Sequence, residues 1–79
     1  MQQNTIPPID IGSSVRRKMS EHGTSISWLA KQINCDRSNL RKHLYKEQIY
    51  PELLQKICIA LKTNFFEEYV EWYMKALSK

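Results

Sequence analysis

The sequence predicts an all-α domain built from five helices. Apolar residues recur at intervals of three and four along most of the chain, which is the spacing of one face of a helix. Residues that favour helix starts and stops interrupt this pattern, and no segment alternates apolar and polar residues as a half-buried strand does. With 79 residues, 42% of them hydrophobic and 25% charged, the chain is expected to form one compact domain.

An N-terminal arm is expected before the first helix. Residues 1–10 include Ile6-Pro7-Pro8-Ile9, and proline disfavours the helical conformation of the residue before it. We therefore expect residues 1–10 to be extended. Asp10 is a suitable N-cap for the first helix, and Gly23 suits the left-handed position that ends a helix. The inward-facing residues of this helix are then Ile11, Val15 and Met19.

The second and third helices are predicted to form a tight, sharply angled pair. Thr24-Ser25 offers two caps for the second helix, whose apolar residues fit one face: Ile26, Leu29, Ala30 and Ile33. Asp36 is expected to cap a third helix over residues 37–46, with Leu40 and Leu44 facing inward. The connection is only about three residues long, which is typical of a helix-turn-helix pair.

Two further helices follow a loop at residues 46–50. Pro51 suits the first position of a helix, and Glu52 favours the positively polarised helix start. Asn64 is expected to cap the fifth helix, which is rich in aromatic residues. The chain is thus expected to divide into an arm (residues 1–10), a helix-turn-helix core (residues 11–64) and a C-terminal aromatic amphipathic helix (residues 65–79).

The outward face of the third helix is basic and has no acidic residue after Asp36. A helical wheel with Leu40 and Leu44 facing inward places six polar residues on or beside the outward face: Ser38, Asn39, Arg41, Lys42, Tyr45 and Lys46. Arg can bind guanine through two hydrogen bonds, Asn can read adenine, and Lys and Tyr reach phosphates. The face suits the major groove of DNA, although a merely basic, solvated helix has a similar composition.

The region from Ile26 to Leu61 resembles the helix-turn-helix core of the lambda-repressor-like (Cro/C1, or XRE) family. Leu29-Ala30 is similar to the small buried position in the motif's first helix, and residues 34–38 stand where the family has its turn and the start of its recognition helix. Ile11-Gly12 and Phe65-Phe66-x-x-Tyr69 further resemble a branch seen in Bacteroides-type bacteria. The resemblance implies a compact five-helix lambda-repressor-like domain that binds double-stranded DNA.

The resemblance also implies which residues contact DNA. The family's base-reading positions fall on Arg37, Ser38, Arg41 and Lys42. Asn39 is adjacent and can also read a base. Phosphate contacts are expected from His43, Tyr45 and Lys46. Ile26 stands where many relatives have an anchoring Gln, so the phosphate contacts at that helix start are expected from Ser25 and Ser27.

Some aromatic residues exceed what a small core needs. Trp28 points away from the apolar face of its helix, so either the N-terminal arm or another protein is expected to cover it. The fifth helix has an apolar sector of roughly 200°, about twice what one core requires. Either the domain grips this helix on both sides, or Phe66, Val70, Met74 and Leu77 face the core and a partner covers the rest. A two-fold homodimer is the economical partner, with an interface at Trp28, Phe65, Tyr69, Trp72 and Tyr73.

Other function classes find little support in the sequence. Cys35 and Cys58, taken with His22 and His43, match no common zinc spacing, so buried free thiols and no metal site are expected. The longest apolar run, Ile57 to Leu61, has five residues and cannot span a membrane. No secretory signal is recognisable. No catalytic constellation or glycine-rich loop is present, so an enzyme, a cofactor and a small-molecule ligand are not expected.

The net charge of +4 is unevenly distributed along the chain. Residues 1–46 carry eight basic and three acidic side chains, whereas residues 47–79 carry four basic and five acidic ones. The excess of basic residues lies in the half with the predicted DNA-facing helices, which favours nucleic acid as the partner. Together with the resemblance, this predicts a bacterial transcriptional regulator, cytoplasmic and nucleoid-associated, that binds a two-fold DNA site as a dimer. The alternative is a protein-interaction module of the same fold, of the anti-repressor or antitoxin kind, that uses Trp28 and the C-terminal aromatic face.

Overall fold

The computed structural model describes residues 9–46 and 48–78, which form five α-helices and no strand. The helices are α1 (Ile11–His22), α2 (Ile26–Gln32), α3 (Arg37–Tyr45), α4 (Pro51–Leu61) and α5 (Glu67–Leu77). The predicted all-α architecture is thus confirmed for the described residues. Of the predicted arm, only Ile9 and Asp10 fall within them, and Ile9 packs against the core. The expected cover of Trp28 by the rest of the arm lies outside the described residues.

The first three helices begin at side-chain caps. Asp10 accepts a hydrogen bond from the Ser13 amide (3.1 Å), Ser25 from the Trp28 amide (3.0 Å) and Asp36 from the Asn39 amide (3.0 Å). Each bond satisfies an amide that has no partner within its own helix and contributes about 1 kcal/mol. Gly23 ends α1 with a φ of 67°, and Pro51 begins α4 as expected. Five of the predicted boundaries therefore arise from local chemistry.

One hydrophobic core joins the first four helices. α3 packs against both α1 and α2, and α2 packs against α4. The residues predicted to face inward on the first three helices are buried, except Ile26, which is half-buried. The largest fully buried side chains are Val15, Leu29, Leu40, Leu44, Leu54 and Ile57.

The start of α5 differs from the prediction, and this moves Phe65. Asn64 caps a tight turn rather than the helix: its Oδ1 accepts from the Phe66 amide (3.1 Å), and its carbonyl accepts from the Glu67 amide (3.3 Å). Such a turn has about 3.0 residues per turn instead of 3.6, so residues before it are out of register with the helix after it. Phe65 consequently enters the core and is only 2% exposed. The prediction that Phe65 faces a partner is therefore wrong.

Part of the predicted orientation of α5 is wrong for the same reason. Val70, Met74 and Leu77 were predicted to face the core, but they are 60%, 57% and 62% exposed. Tyr69, which was predicted to face a partner, packs against the core instead. No residue of α5 is buried. A hydrogen bond from Ser14 Oγ to Glu68 Oε1 (2.5 Å) connects α5 to α1.

The two cysteines are free thiols, as predicted, but they are half-buried rather than buried. Cys58 Sγ accepts a hydrogen bond from the Phe65 amide (3.4 Å), so this thiol supports the turn before α5. Among the described residues, no three His, Cys, Asp or Glu side chains are grouped so that they could hold a metal ion. None of the described helices has the length and apolarity needed to cross a membrane.

Candidate nucleic-acid interface

The turn between α2 and α3 sets the direction of α3. Asn34 adopts the left-handed conformation, with a φ of 56°. Asn tolerates this conformation better than most residues with a β-carbon. Within the turn, the Cys35 amide donates to the Ala30 carbonyl at 2.8 Å. The turn is therefore short, and α3 begins only a few residues after α2, at Arg37.

Side chains on the exposed face of α3 line an open hollow. Leu40 and Leu44 bury the opposite face of the helix, being 0% and 1% exposed. The hollow has a volume of about 390 Å³ and is lined by Ser38, Arg41, Lys42, Tyr45 and Lys46. The structure thus brings together three of the predicted base-reading residues and two of the predicted phosphate-binding residues.

The other two predicted base-reading residues lie outside this lining. Arg37 and Asn39 are exposed in the first turn of α3. The main-chain amide of Asn39 is bound to the Asp36 carboxylate. Asp36 therefore caps the start of α3, and the side chains of Arg37 and Asn39 remain exposed there.

The remaining predicted phosphate-binding residues have different surroundings. Ser27 is exposed in the first turn of α2. The hydroxyl oxygen of Ser25 accepts a hydrogen bond from the Trp28 amide, so this side chain caps α2. His43 lies away from the hollow: its Nδ1 is 2.7 Å from the Gln48 carbonyl, and its ring packs edge-on against Tyr50. His43 therefore holds the segment that follows α3.

Among the described residues, no acidic side chain pairs with the basic residues on the exposed face of α3. Within residues 9–46 and 48–78, the ion pair found joins Lys18 and Glu21 of α1. Arg41 and Lys42 are exposed and form no ion pair with any of the described residues. The hollow is thus a concave, positively charged surface on a helix whose position the core fixes, and such a surface suits a polyanion.

Comparison with known families decides the identity of the domain. Residues 14–73 match the family model of the Cro/C1-type helix-turn-helix DNA-binding domain. The chain belongs to this family. No match is found among curated proteins or among solved structures. The matched segment contains all of α2, α3 and α4, and membership supports DNA as the partner of this domain.

One residue of the Cro/C1-type domain that the sequence reasoning missed is Arg16, on α1. Arg16 Nε donates to the Leu44 carbonyl at 2.9 Å, and its guanidinium lies 4.5 Å from the centre of the Tyr45 ring. Arg16 follows the buried Val15 and precedes the buried Met19 by three residues, so it flanks the inward face of α1. That flanking position is the sequence signal that would have indicated a contact with a neighbouring helix.

The predicted partner-facing residues of the Cro/C1-type domain divide into three groups. Phe65 is in the core, and Tyr69 is half-buried against it. Trp28 and Trp72 are each 38% exposed, and Tyr73 is 55% exposed. Together with Val70, Met74 and Leu77, Tyr73 completes an exposed stripe at positions i, i+3, i+4 and i+7 of α5. The apolar surface open to a partner is therefore centred on this stripe.

Proposed function

We propose that this Cro/C1-type domain is a sequence-specific transcriptional regulator that inserts α3 into the major groove of double-stranded DNA. The observation that carries the proposal is the hollow on the exposed face of α3. Its lining combines guanidinium, ammonium and hydroxyl donors, and no described acidic residue neutralises them. A recognition helix needs such donors on a face that a rigid scaffold presents, and Leu40 and Leu44 anchor the other side of α3.

The side chains divide into two roles by their position on α3. Those proposed to read base edges are Arg37, Ser38, Asn39, Arg41 and Lys42. Tyr45 and Lys46, at the end of the helix, are proposed to contact phosphates, and Ser25 and Ser27 at the start of α2 are proposed to contact the backbone beside them. His43 would act indirectly by holding the loop after α3 through Gln48.

We further propose that two copies pair through the apolar stripe of α5. Val70, Tyr73, Met74 and Leu77 follow the spacing of a helix-packing face, and each is more than half exposed. An 11-residue helix is only about 16 Å long, so two such helices bury less area than a standard stable interface. The dimer is therefore weak in solution and is completed on a two-fold site, where both copies bind the same duplex.

Selection of binding sites from random duplexes tests this proposal directly. The purified chain is expected to enrich a palindromic consensus whose half-sites lie about one helical turn apart. Its affinity is expected to fall steeply with salt because phosphate contacts release counterions. Enrichment of a single, non-repeated half-site would keep the DNA-binding role and remove the dimer. A regulator of this kind acts at the bacterial nucleoid, in keeping with the Bacteroides-type resemblance.

A second candidate function rests on the exposed aromatic residues. Trp28 lies on α2, next to the recognition helix in the chain, and Trp is enriched at the centres of protein interfaces. A protein-interaction module of the anti-repressor or antitoxin kind would use Trp28 and α5 to bind another protein. Absence of binding to any duplex at low salt would favour this function and contradict the first.

A further inference from the structure

Guanidinium groups from two different helices contact the ring of Tyr45. Arg16 Cζ on α1 lies 4.5 Å from the ring centroid, and Arg41 Cζ, one turn earlier on α3, lies 5.1 Å from it. Both distances fall within the range of about 6 Å over which a cation and an aromatic ring attract each other. The ring is shared by two cations although 53% of Tyr45 is exposed. Tyr45 thus links α1 to a residue that lines the hollow.

Arg16 has a fixed position in this arrangement. It is half-buried, and its Nε donates to the main-chain carbonyl of Leu44 at 2.9 Å. That carbonyl lies in the last turn of α3, where carbonyl groups lack partners within the helix and the helix dipole favours a positive charge. Leu44 itself is buried in the core, so Arg16 is anchored to an immobile group.

Arg41, in contrast, is exposed and has no ion-pair partner within the described residues. A free arginine side chain has many rotamers and loses much of this freedom when it binds a base. Contact with the Tyr45 ring restricts the guanidinium of Arg41 before DNA arrives. The orientation of the ring depends in turn on Arg16, which is the anchored member of the three.

We propose that Arg16 is a positioning residue that acts through Tyr45 to hold the guanidinium of Arg41 in its base-reading orientation. The inference rests on the proposed function, because it requires α3 to enter the major groove. Arg16 touches no base. Arg16 affects how strongly the domain prefers one base pair over the others. The affinity for DNA of any sequence depends instead on the number of positive charges on the domain.

Arg16→Lys tests the proposal because it keeps the charge and removes both the planar stacking group and the Nε donor. The base pair read by Arg41 is first identified as the position whose preference disappears in Arg41→Ala. Arg16→Lys is expected to reduce the preference at that base pair about tenfold, within the range a single arginine contact supplies. The affinity for an unrelated duplex and the salt dependence are expected to stay within about twofold of the wild-type values. Arg17→Lys is the matched control: Arg17 is the exposed neighbour on α1 and makes no contact with Tyr45, so the preference stays unchanged.

Variants of Tyr45 provide a second test that does not depend on Arg16→Lys folding. Tyr45→Phe keeps the ring and is expected to keep the preference, even where loss of the hydroxyl weakens binding to all duplexes. Tyr45→Leu removes the ring and is expected to lose the preference. Combining Arg16→Lys with Tyr45→Leu is then expected to cause no further loss, because both changes break the same chain of contacts.

A measurement on the free protein distinguishes an effect of Arg16 on the position of Arg41 from an effect of its charge. The side-chain Nε–H signal of Arg41 in an NMR spectrum is expected to move in Arg16→Lys and in Tyr45→Leu, and to stay in place in Arg17→Lys. An unchanged base preference in Arg16→Lys, or an equal loss of affinity for every duplex, would overturn the inference and leave the proposed function standing. If the wild-type chain binds no duplex at all, both the proposed function and the inference fail.

Discussion

Gly12 of α1 lies directly against the main-chain carbonyl of Leu44 in α3. A β-carbon at position 12 would lie 2.7 Å from the Leu44 oxygen and 3.2 Å from its carbonyl carbon. One turn later on α1, Arg16 donates its hydrogen bond to that same oxygen. The absence of a side chain at Gly12 therefore sets the distance between α1 and α3.

Gly12→Ala is expected to destabilise the domain although alanine favours a helix more than glycine does. The new methyl group meets backbone atoms, which cannot rotate away, so α1 and α3 must separate at a cost of about 1–3 kcal/mol. The helix propensity gained, about 1 kcal/mol, offsets part of this cost. Chemical denaturation measures the net change. Ser13→Ala, at the exposed neighbouring position, is the control and is expected to stay within about 0.5 kcal/mol of wild type.

Two residues with a β-carbon adopt the left-handed conformation, and they are expected to respond differently to substitution. Lys62 ends α4 with a φ of 52° and is exposed, so Lys62→Gly is expected to raise the free energy of unfolding by about 0.5–1 kcal/mol. Asn34→Ala, in the turn before α3, is expected to lower it by about 1 kcal/mol, since alanine adopts the left-handed conformation less readily than Asn. Thermal melts of both variants compare the two positions. A lower melting temperature for Lys62→Gly would contradict this account.

Lys42 is expected to contribute to specificity. Lys42→Ala should weaken binding to the selected site by about 1–3 kcal/mol, with a much smaller effect on unrelated duplexes. Lys56→Ala removes the same charge from an exposed position of α4 and should leave the preference unchanged. Fluorescence anisotropy at several salt concentrations gives both quantities. An equal loss on every sequence, with a salt slope shallower by about 1, would assign Lys42 to a phosphate instead.

Met74→Glu is expected to disrupt pairing of two copies. The substitution places a charge in the middle of the exposed stripe of α5, and an unpaired charge is costly in an apolar contact. Sedimentation over a range of concentrations should show a weaker dimer, and binding to a palindrome should lose its cooperativity. Gln55→Glu adds the same charge to an exposed position of α4 and serves as the control. Unchanged association in Met74→Glu would remove α5 from the interface.

The sequence was most informative where local chemistry decides the structure. Asp10, Ser25 and Asp36 cap the helices for which they were predicted, because a short polar side chain before an apolar run has few other uses. The inward-facing leucines of α3 were also predicted correctly, and they determine which side chains remain accessible. For this reason, most of the candidate DNA-binding face could be described before the structure was known.

The rest depends on relationships that a helical wheel does not contain. The tight turn at Asn64 shifts the register of α5, so Phe65 enters the core and Val70 faces outward, contrary to prediction. Arg16 contacts Tyr45 only because α1 and α3 approach closely at Gly12, which is a long-range feature. His43 contacts Gln48 because the loop folds back on α3. Each difference arises where two elements meet.

The absence of buried residues in α5 has a consequence for how the domain evolves and unfolds. Because the buried residues lie in the first four helices and in the loops at Ile49 and Phe65, α5 can open at a lower cost than α3, and its amide hydrogens should exchange with solvent sooner. Substitutions at its exposed positions, such as Val70 and Met74, are therefore expected to change the stability little. The exposed stripe of α5 can therefore change in sequence while the packing that holds α3 stays the same.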